Sequence, residues 1–151
     1  VLDSVAFTGI LLKILGREKE EYMKSSGYYV GRLLSLADLL HEQYCIHVRN
    51  KGDKKKGLPP QLLGNSLMRS AMDNPVQTLA RLQERLMVYY AWATKEQGEY
   101  IGLAKWAMIQ MGEIAEALSN LELPTRTTDT MKAEILLGYL AKSQKNEGGE
   151  Q

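Results

Sequence analysis

The sequence predicts an all-α fold, an antiparallel bundle of five to six helices, and three observations lead to this prediction. Apolar residues recur at intervals of three and four in six successive stretches of the 151-residue chain, which is the period of an amphipathic helix. No stretch reads as a credible strand. The breaks between the stretches are short, so neighbouring helices are expected to pack antiparallel around one core.

Length and composition agree with a single folded domain. The chain is 44% hydrophobic and 25% charged, which is ordinary for a folded protein. We expect one domain at 1–145 and a disordered tail, NEGGEQ, at 146–151. Cys45 is the single cysteine, which favours a reducing compartment such as the cytoplasm. The apolar stretch at the N-terminus lacks a basic region and is too short to cross a bilayer, so we expect neither a signal peptide nor an anchor.

The first two helices are defined by their apolar stripes. The first is expected at 2–24, with an apolar side made of Val5, Ile10, Leu11, Ile14 and Leu15. Ser25, Ser26 and Gly27 interrupt that pattern. The stripe of the second helix is the longest in the chain, and it consists of Tyr29, Val30, Leu33, Leu34, Ala37, Leu40 and Tyr44.

A basic loop separates the second helix from the third. The segment KGDKKKG at 51–57 is followed by Pro59 and Pro60, and glycine and proline disfavour a helix interior. Because proline suits the first turn of a helix, Pro60 is expected to open a short third helix. That helix carries Leu63, Leu67 and Ala71.

The last three helices have recognisable starts. Asn74 followed by Pro75 suits the cap and first turn of the fourth helix. A fifth stripe begins near Ile101 and ends before Pro124, and Thr127 or Thr128 is expected to cap a sixth helix that runs to about Lys142. The core is predicted to include Leu33, Leu34, Leu40, Leu79, Leu82, Leu86, Ile135 and Leu136.

Residues capable of metal binding or catalysis are few and poorly grouped. In HEQYC, His41 and Cys45 lie four apart on one helical face, but zinc normally takes at least three protein ligands. His47 lies six residues from His41 and therefore points elsewhere. We predict a polar helix end beside a buried thiol, no cofactor and no catalysis. The remaining carboxylate pairs are expected to be solvated helix surfaces, and they are Glu20 with Glu21 and Glu113 with Glu116.

Basic side chains form the one pattern that suggests a function. KGDKKKG holds four lysines opposed by a single acid, Asp53, in a chain of net charge +1. The run is explained equally well by a solvated loop and by phosphate binding, which is independent of sequence and sensitive to salt. Arginines on two predicted helix faces favour the second interpretation. The candidate nucleic-acid contacts are Arg32, Arg49, Lys51, Lys54, Lys55, Lys56, Arg69, Arg81 and Arg85.

Three stretches together resemble a known family. They are GYYVGRLLSLADLLHEQY at 27–44, PPQLLGNSLMRSAMDNPVQTLARL at 59–82 and LPTRTTDTMKAEILLGYLAKSQ at 123–144. In order and spacing they resemble the C-terminal helical region of the large subunit of type I-C CRISPR Cascade complexes, a region that also occurs as a separate small subunit. The middle stretch departs from the family, which often has an aromatic pair and alanines where this chain has LLGNSLMRSA.

The resemblance implies a role without catalysis. Helical bundles of this family line the complex beside the guide RNA and help to hold target DNA, especially the displaced strand. The implied partners are the large and backbone subunits of Cascade, other copies of the chain, crRNA and the target DNA backbone, with no membrane. Guide pairing would supply sequence specificity, so this subunit would need only shape and charge. The alternative from the residues alone is a helical adaptor that binds proteins and has no nucleic-acid contact.

Overall fold

The structure, a computed structural model, describes residues 4–16, 19–50, 63–95 and 101–141, and most of these residues are in helices. The all-α prediction is therefore confirmed, and these ranges contain no strand. No helix within them is long and apolar enough to span a membrane. The helices are α1 (Ser4–Leu15), α2 (Lys19–Tyr22), α3 (Ser26–Asn50), α4 (Leu63–Asp73), α5 (Pro75–Lys95), α6 (Gly102–Ser119) and α7 (Asp129–Leu140).

Helix α3 lies at the centre of the bundle and packs against α4, α5, α6 and α7. The main core forms around it, with Leu34 and Leu40 completely buried. A smaller apolar cluster contains Ile14 of α1, Tyr22 of α2 and Tyr28 of α3, and it packs α1 and α2 against the rest of the bundle. Six of the eight predicted core residues are buried, whereas Leu79 and Leu136 are partly exposed.

Helices α3 and α7 approach each other closely at two glycines. A Cβ atom added to Gly31 would overlap the carbonyl oxygen of Ile135 and would lie 2.6 Å from the backbone nitrogen of Tyr139. A Cβ atom added to Gly138 would overlap the carbonyl oxygen of Tyr28. Each helix therefore needs glycine where the backbone of the other one lies.

Helices α3 and α7 run in the same direction, because contacts advance together along both. Gly27 meets Met131 one turn before Gly31 meets Ile135. Three helices separate α3 from α7 in the chain. When each helix runs antiparallel to the one before it, two helices that are separated by an odd number of helices run parallel to each other.

The predicted helix caps are confirmed at two positions. The side-chain oxygen of Asn74 accepts a hydrogen bond from the backbone N–H of Gln77 at 3.2 Å. Of the two threonines considered for α7, Thr128 is the cap, since its hydroxyl accepts from the N–H of Met131 at 3.1 Å. Both satisfy backbone donors that the first turn of a helix leaves without partners.

The prediction of one continuous helix at 2–24 is wrong. Helix α1 ends at Leu15, a turn follows at Gly16, and α2 is a separate short helix. Tyr22 of α2 packs edge-on against Tyr28 of α3, with ring centroids 5.8 Å apart. The predicted start at Pro60 and the tail at 146–151 lie outside the described residues.

Candidate nucleic-acid interface

Two predicted arginines share the solvent face of α5. Arg81 and Arg85 are both exposed, and their spacing of four places them one turn apart on the same side of a helix. The buried stripe of α5, which includes Thr78, Leu82 and Leu86, lies next to the two arginines on the helix surface. Arg81 and Arg85 therefore border the part of α5 that packs in the core, and both side chains are exposed.

A further predicted arginine, Arg69, lies on α4. Its side chain is exposed, and only Asn74 separates α4 from α5. Over 63–95 the chain carries four basic and two acidic side chains, a net charge of +2. The acidic ones, Asp73 and Glu84, are exposed as well. The surface is therefore modestly basic, and phosphate contacts would come from individual arginines.

The structure adds a basic residue that the sequence did not suggest. The hydroxyl of Thr127 donates a hydrogen bond to the carbonyl of Met72 in the last turn of α4. This bond holds the α6–α7 connection against the helix that carries Arg69. The neighbouring Arg126 is exposed. Only the tertiary contact brings Arg126 near α4, because the two segments are far apart in the chain.

Arg32 lies elsewhere. It is half-buried on the α7 side of α3. Burial raises the pKa of the neighbouring Tyr28, and the positive charge of Arg32 partly offsets that rise. The described structure does not bring Arg32 into one surface with Arg81 and Arg85. The lysines of the loop, which are Lys51, Lys54, Lys55 and Lys56, lie outside the described residues, as does the side chain of Arg49.

A cluster of rings occupies the contact between α3 and α5. Tyr89 packs edge-on against His41 and Tyr44, with centroid distances of 5.2 and 5.1 Å. Trp92 packs against Tyr44 at 5.4 Å and against His47 at 5.3 Å. Arg85 borders this cluster, since its charge partly offsets the rise in the pKa of Tyr89 that burial causes. Two histidines that resembled candidate ligands in the sequence are thus packed among aromatic rings.

His41 is buried and hydrogen-bonded on both sides of its ring. Its Nδ1 lies 2.6 Å from the Tyr89 hydroxyl, and its Nε2 lies 3.6 Å from the Cys45 Sγ. Burial lowers the pKa of His41, although the nearby Asp38 carboxylate opposes this. Because burial also keeps Tyr89 protonated, we infer that Tyr89 donates to a neutral imidazole that carries its proton on Nε2. Within the described ranges, no three His, Cys, Asp or Glu side chains are grouped so as to hold a metal ion.

Helices α3 and α7 share a second buried polar pair, which the sequence does not predict. Tyr139 of α7 donates a hydrogen bond to the carboxylate of Asp38 on α3. Burial, followed by that hydrogen bond, strongly raises the pKa of Tyr139. The available sequence signal was an acid inside the apolar run LADLL. The pair lies beyond the Gly31–Gly138 contact and ties the same two helices together.

The buried imidazole predicts a pH dependence of stability. A histidine with a pKa lowered by folding takes up its proton more readily when unfolded, so acid favours the unfolded chain. We expect the contribution of His41 to be intact above about pH 6.5, the ordinary histidine pKa, and to be lost progressively as the pH falls below it. Urea unfolding at pH 7.5, 6.5 and 5.5 measures this contribution as the difference in the free energy of unfolding between the wild type and His41→Gln.

His47→Gln is the matched control, because His47 is also buried on α3. Because His41 is intact in this variant, it should lose as much stability between pH 7.5 and 5.5 as the wild type does. A wild-type protein and a His41→Gln variant that lose the same stability between pH 7.5 and 5.5 would contradict the assignment.

Comparison with protein-family models, with curated proteins and with solved structures finds no match to this chain.

Proposed function

We propose that this chain is a non-catalytic helical subunit of a CRISPR Cascade complex in the cytoplasm, resembling the small subunit or the C-terminal region of the large subunit. In this role it assembles with other Cascade subunits and with copies of itself. It binds the phosphate backbone of the guide–target duplex or of the displaced DNA strand, without reading sequence.

The observation that carries the nucleic-acid part is the pair Arg81 and Arg85, exposed one turn apart on α5. Guanidinium groups bind phosphate oxygens bidentately. Arg69 and Arg126, both exposed, lie on the adjoining helix and connection. Such contacts position a nucleic acid without discriminating between bases.

The stretches that carry the family resemblance lie together in the bundle. The first and last of the resembling stretches meet at the α3–α7 contact, where Gly31 of GYYVGRLL lies against the backbone around Gly138 of LGY. The middle stretch contains Asn74, which caps α5. The residues that carry the resemblance therefore have definite structural roles in one bundle.

The test is the salt dependence of binding to a labelled single-stranded DNA. Each phosphate neutralised on a single strand contributes about 0.7 to the slope of log affinity against log salt. Arg81→Gln/Arg85→Gln should therefore reduce the slope by up to about 1.4 and weaken binding equally for unrelated sequences. Lys54, Lys55 and Lys56 changed together to alanine should reduce it by up to about 2.

Lys13→Gln/Lys105→Gln is the matched control, since it removes two exposed charges from other helices. It should leave the slope unchanged. If the lysine variant keeps the wild-type slope while the arginine variant loses part of it, the loop is not a contact. If neither variant alters binding, the backbone-binding role is wrong.

A protein-binding adaptor is the second candidate function, and one observation favours it. Met87 on α5 and Ile109 on α6 are each 62% exposed, although large apolar side chains are normally covered in a folded domain. In this alternative the arginines do not contact nucleic acid, and Arg81→Gln/Arg85→Gln binds DNA as the wild type does.

A further inference from the structure

An apolar groove of about 410 Å³ lies between α5 and α6. Its floor is made of buried side chains, among them Leu33, Leu82, Leu86 and Met111. Gln83 and Ala115 at its edges are exposed. This size and lining are those of a site that takes an apolar group. The groove occupies a different face of α5 from Arg81 and Arg85.

Next to Gln83 and Ala115, the edges of the groove also carry an exposed apolar side chain and an uncovered glycine. Met87 lies one turn from Gln83 on α5 and is 62% exposed. On α6, a Cβ atom added to Gly112 would meet nothing within 4 Å. A helix could therefore approach the groove closely over Gly112 and Ala115, since small side chains permit a short interhelical distance.

Helix α1 exposes an apolar surface of matching kind. Val5 is 77% exposed and Leu12 is 66% exposed, and a Cβ atom added to Gly9 between them would meet nothing within 4 Å. The other side of α1 is packed, because Ile14 is buried in the smaller cluster. A helix with apolar residues on both sides is normally covered on both sides.

The two surfaces match in length and charge. Val5 and Leu12 are seven residues apart, as are Met111 and Leu118, and this separation is about 10.5 Å of helix. Lys13 is the one charged residue within α1 and is exposed. Glu113 and Glu116 are exposed on α6 beside Ala115. Exposed ion pairs add little affinity, but they orient an interface.

Within one chain the two surfaces do not meet, since α1 packs chiefly against α7 whereas the groove is formed by α5 and α6 over α3. We infer that the Val5–Leu12 face of α1 docks into the α5–α6 groove of a second copy of the chain. This inference rests on the proposed function, in which the chain assembles with copies of itself. One copy uses α1 and its neighbour uses the groove, so the contact is head to tail and builds a ring or an open row of copies. A single helix in a groove is a small interface, and we expect dissociation constants on the order of micromolar.

Sedimentation equilibrium of the chain at concentrations from about 1 to 200 µM tests this surface. The average mass should rise with concentration above the 17.0 kDa of one chain. Leu12→Glu places a charge in the apolar contact, and Ala115→Arg fills the groove, so each should weaken association at least about tenfold. Leu140→Glu changes another leucine, 62% exposed on α7, and should associate like the wild type.

A mixture gives the sharpest result. A head-to-tail contact needs one intact α1 and one intact groove, and these remain available when Leu12→Glu and Ala115→Arg are combined. The mixture should therefore form dimers that stop at two chains, although neither variant associates alone. A mixture that stays monomeric would show that the contact is not head to tail and would overturn the proposal.

Two further outcomes count against the proposal. A wild-type chain that stays at 17.0 kDa over the whole range has no such contact. Association that Ala115→Arg abolishes but Leu12→Glu leaves intact would mean that a segment other than α1 enters the groove. Circular dichroism of each variant excludes misfolding, and the DNA-binding test of the arginines is independent, so failure of either idea is seen separately.

Discussion

Replacing Gly31 with alanine is expected to destabilise the protein by about 3 kcal/mol or more, because it forces α7 away from α3. The added methyl group would overlap the Ile135 carbonyl oxygen and lie 2.6 Å from the Tyr139 nitrogen. Both are backbone atoms, so no side-chain rotation can relieve the overlap. In a 151-residue protein this loss corresponds to a melting temperature lower by roughly 6–12 °C.

Gly112→Ala provides a control with the opposite sign. Gly112 lies within α6, and its added methyl group meets nothing within 4 Å. Alanine is favoured over glycine inside a helix by up to about 1 kcal/mol, so this variant should be slightly more stable than the wild type. Urea unfolding midpoints compare the two variants directly. If Gly31→Ala also gained stability, the close contact between α3 and α7 would not exist.

Gly138→Ala should resemble Gly31→Ala, since its methyl group would overlap the Tyr28 carbonyl oxygen from the other side of the same contact. The double variant should lose less than the sum of the two single losses. Once the helices have separated for one methyl group, part of the space for the second is already present.

Leu34→Ala is expected to cost about 2–5 kcal/mol, since it removes buried methyl groups and leaves a cavity. Leu34 is completely buried on the central helix, where neighbouring helices limit collapse of the surrounding structure. Thermal or urea unfolding measures the loss. Leu86→Ala should also lower the melting temperature, but by less, because Leu86 borders the α5–α6 groove.

Leu140→Ala tests whether burial is the cause. Leu140 is 62% exposed at the end of α7, and surface substitutions usually alter stability by less than about 0.5 kcal/mol. Equal losses for Leu34→Ala and Leu140→Ala would contradict the assigned core.

Some features of the candidate interface could be read from the sequence because they depend on local spacing. Arg81 and Arg85 are four residues apart, and the apolar stripe containing Leu82 and Leu86 determines which side of α5 faces the core. The arginines were therefore predicted to share a solvent face, and they do. Arg126 could not be predicted, because its position near α4 depends on the hydrogen bond between Thr127 and Met72.

The sequence by itself determined the all-α class, the long central stripe and the cap at Asn74, and it limited the cap of α7 to Thr127 or Thr128. These features follow from interactions within one or two helical turns, and a single chain displays such interactions directly. Only the tertiary structure decided that Asp38 meets Tyr139, 101 residues away, and that His41 meets Tyr89, 48 residues away. It also decided that Gly31 and Gly138 meet and that α5 and α6 leave a groove between them. The physical reason is that helical period specifies which side of a helix is buried, whereas the partner and the distance of approach depend on how all the side chains pack together.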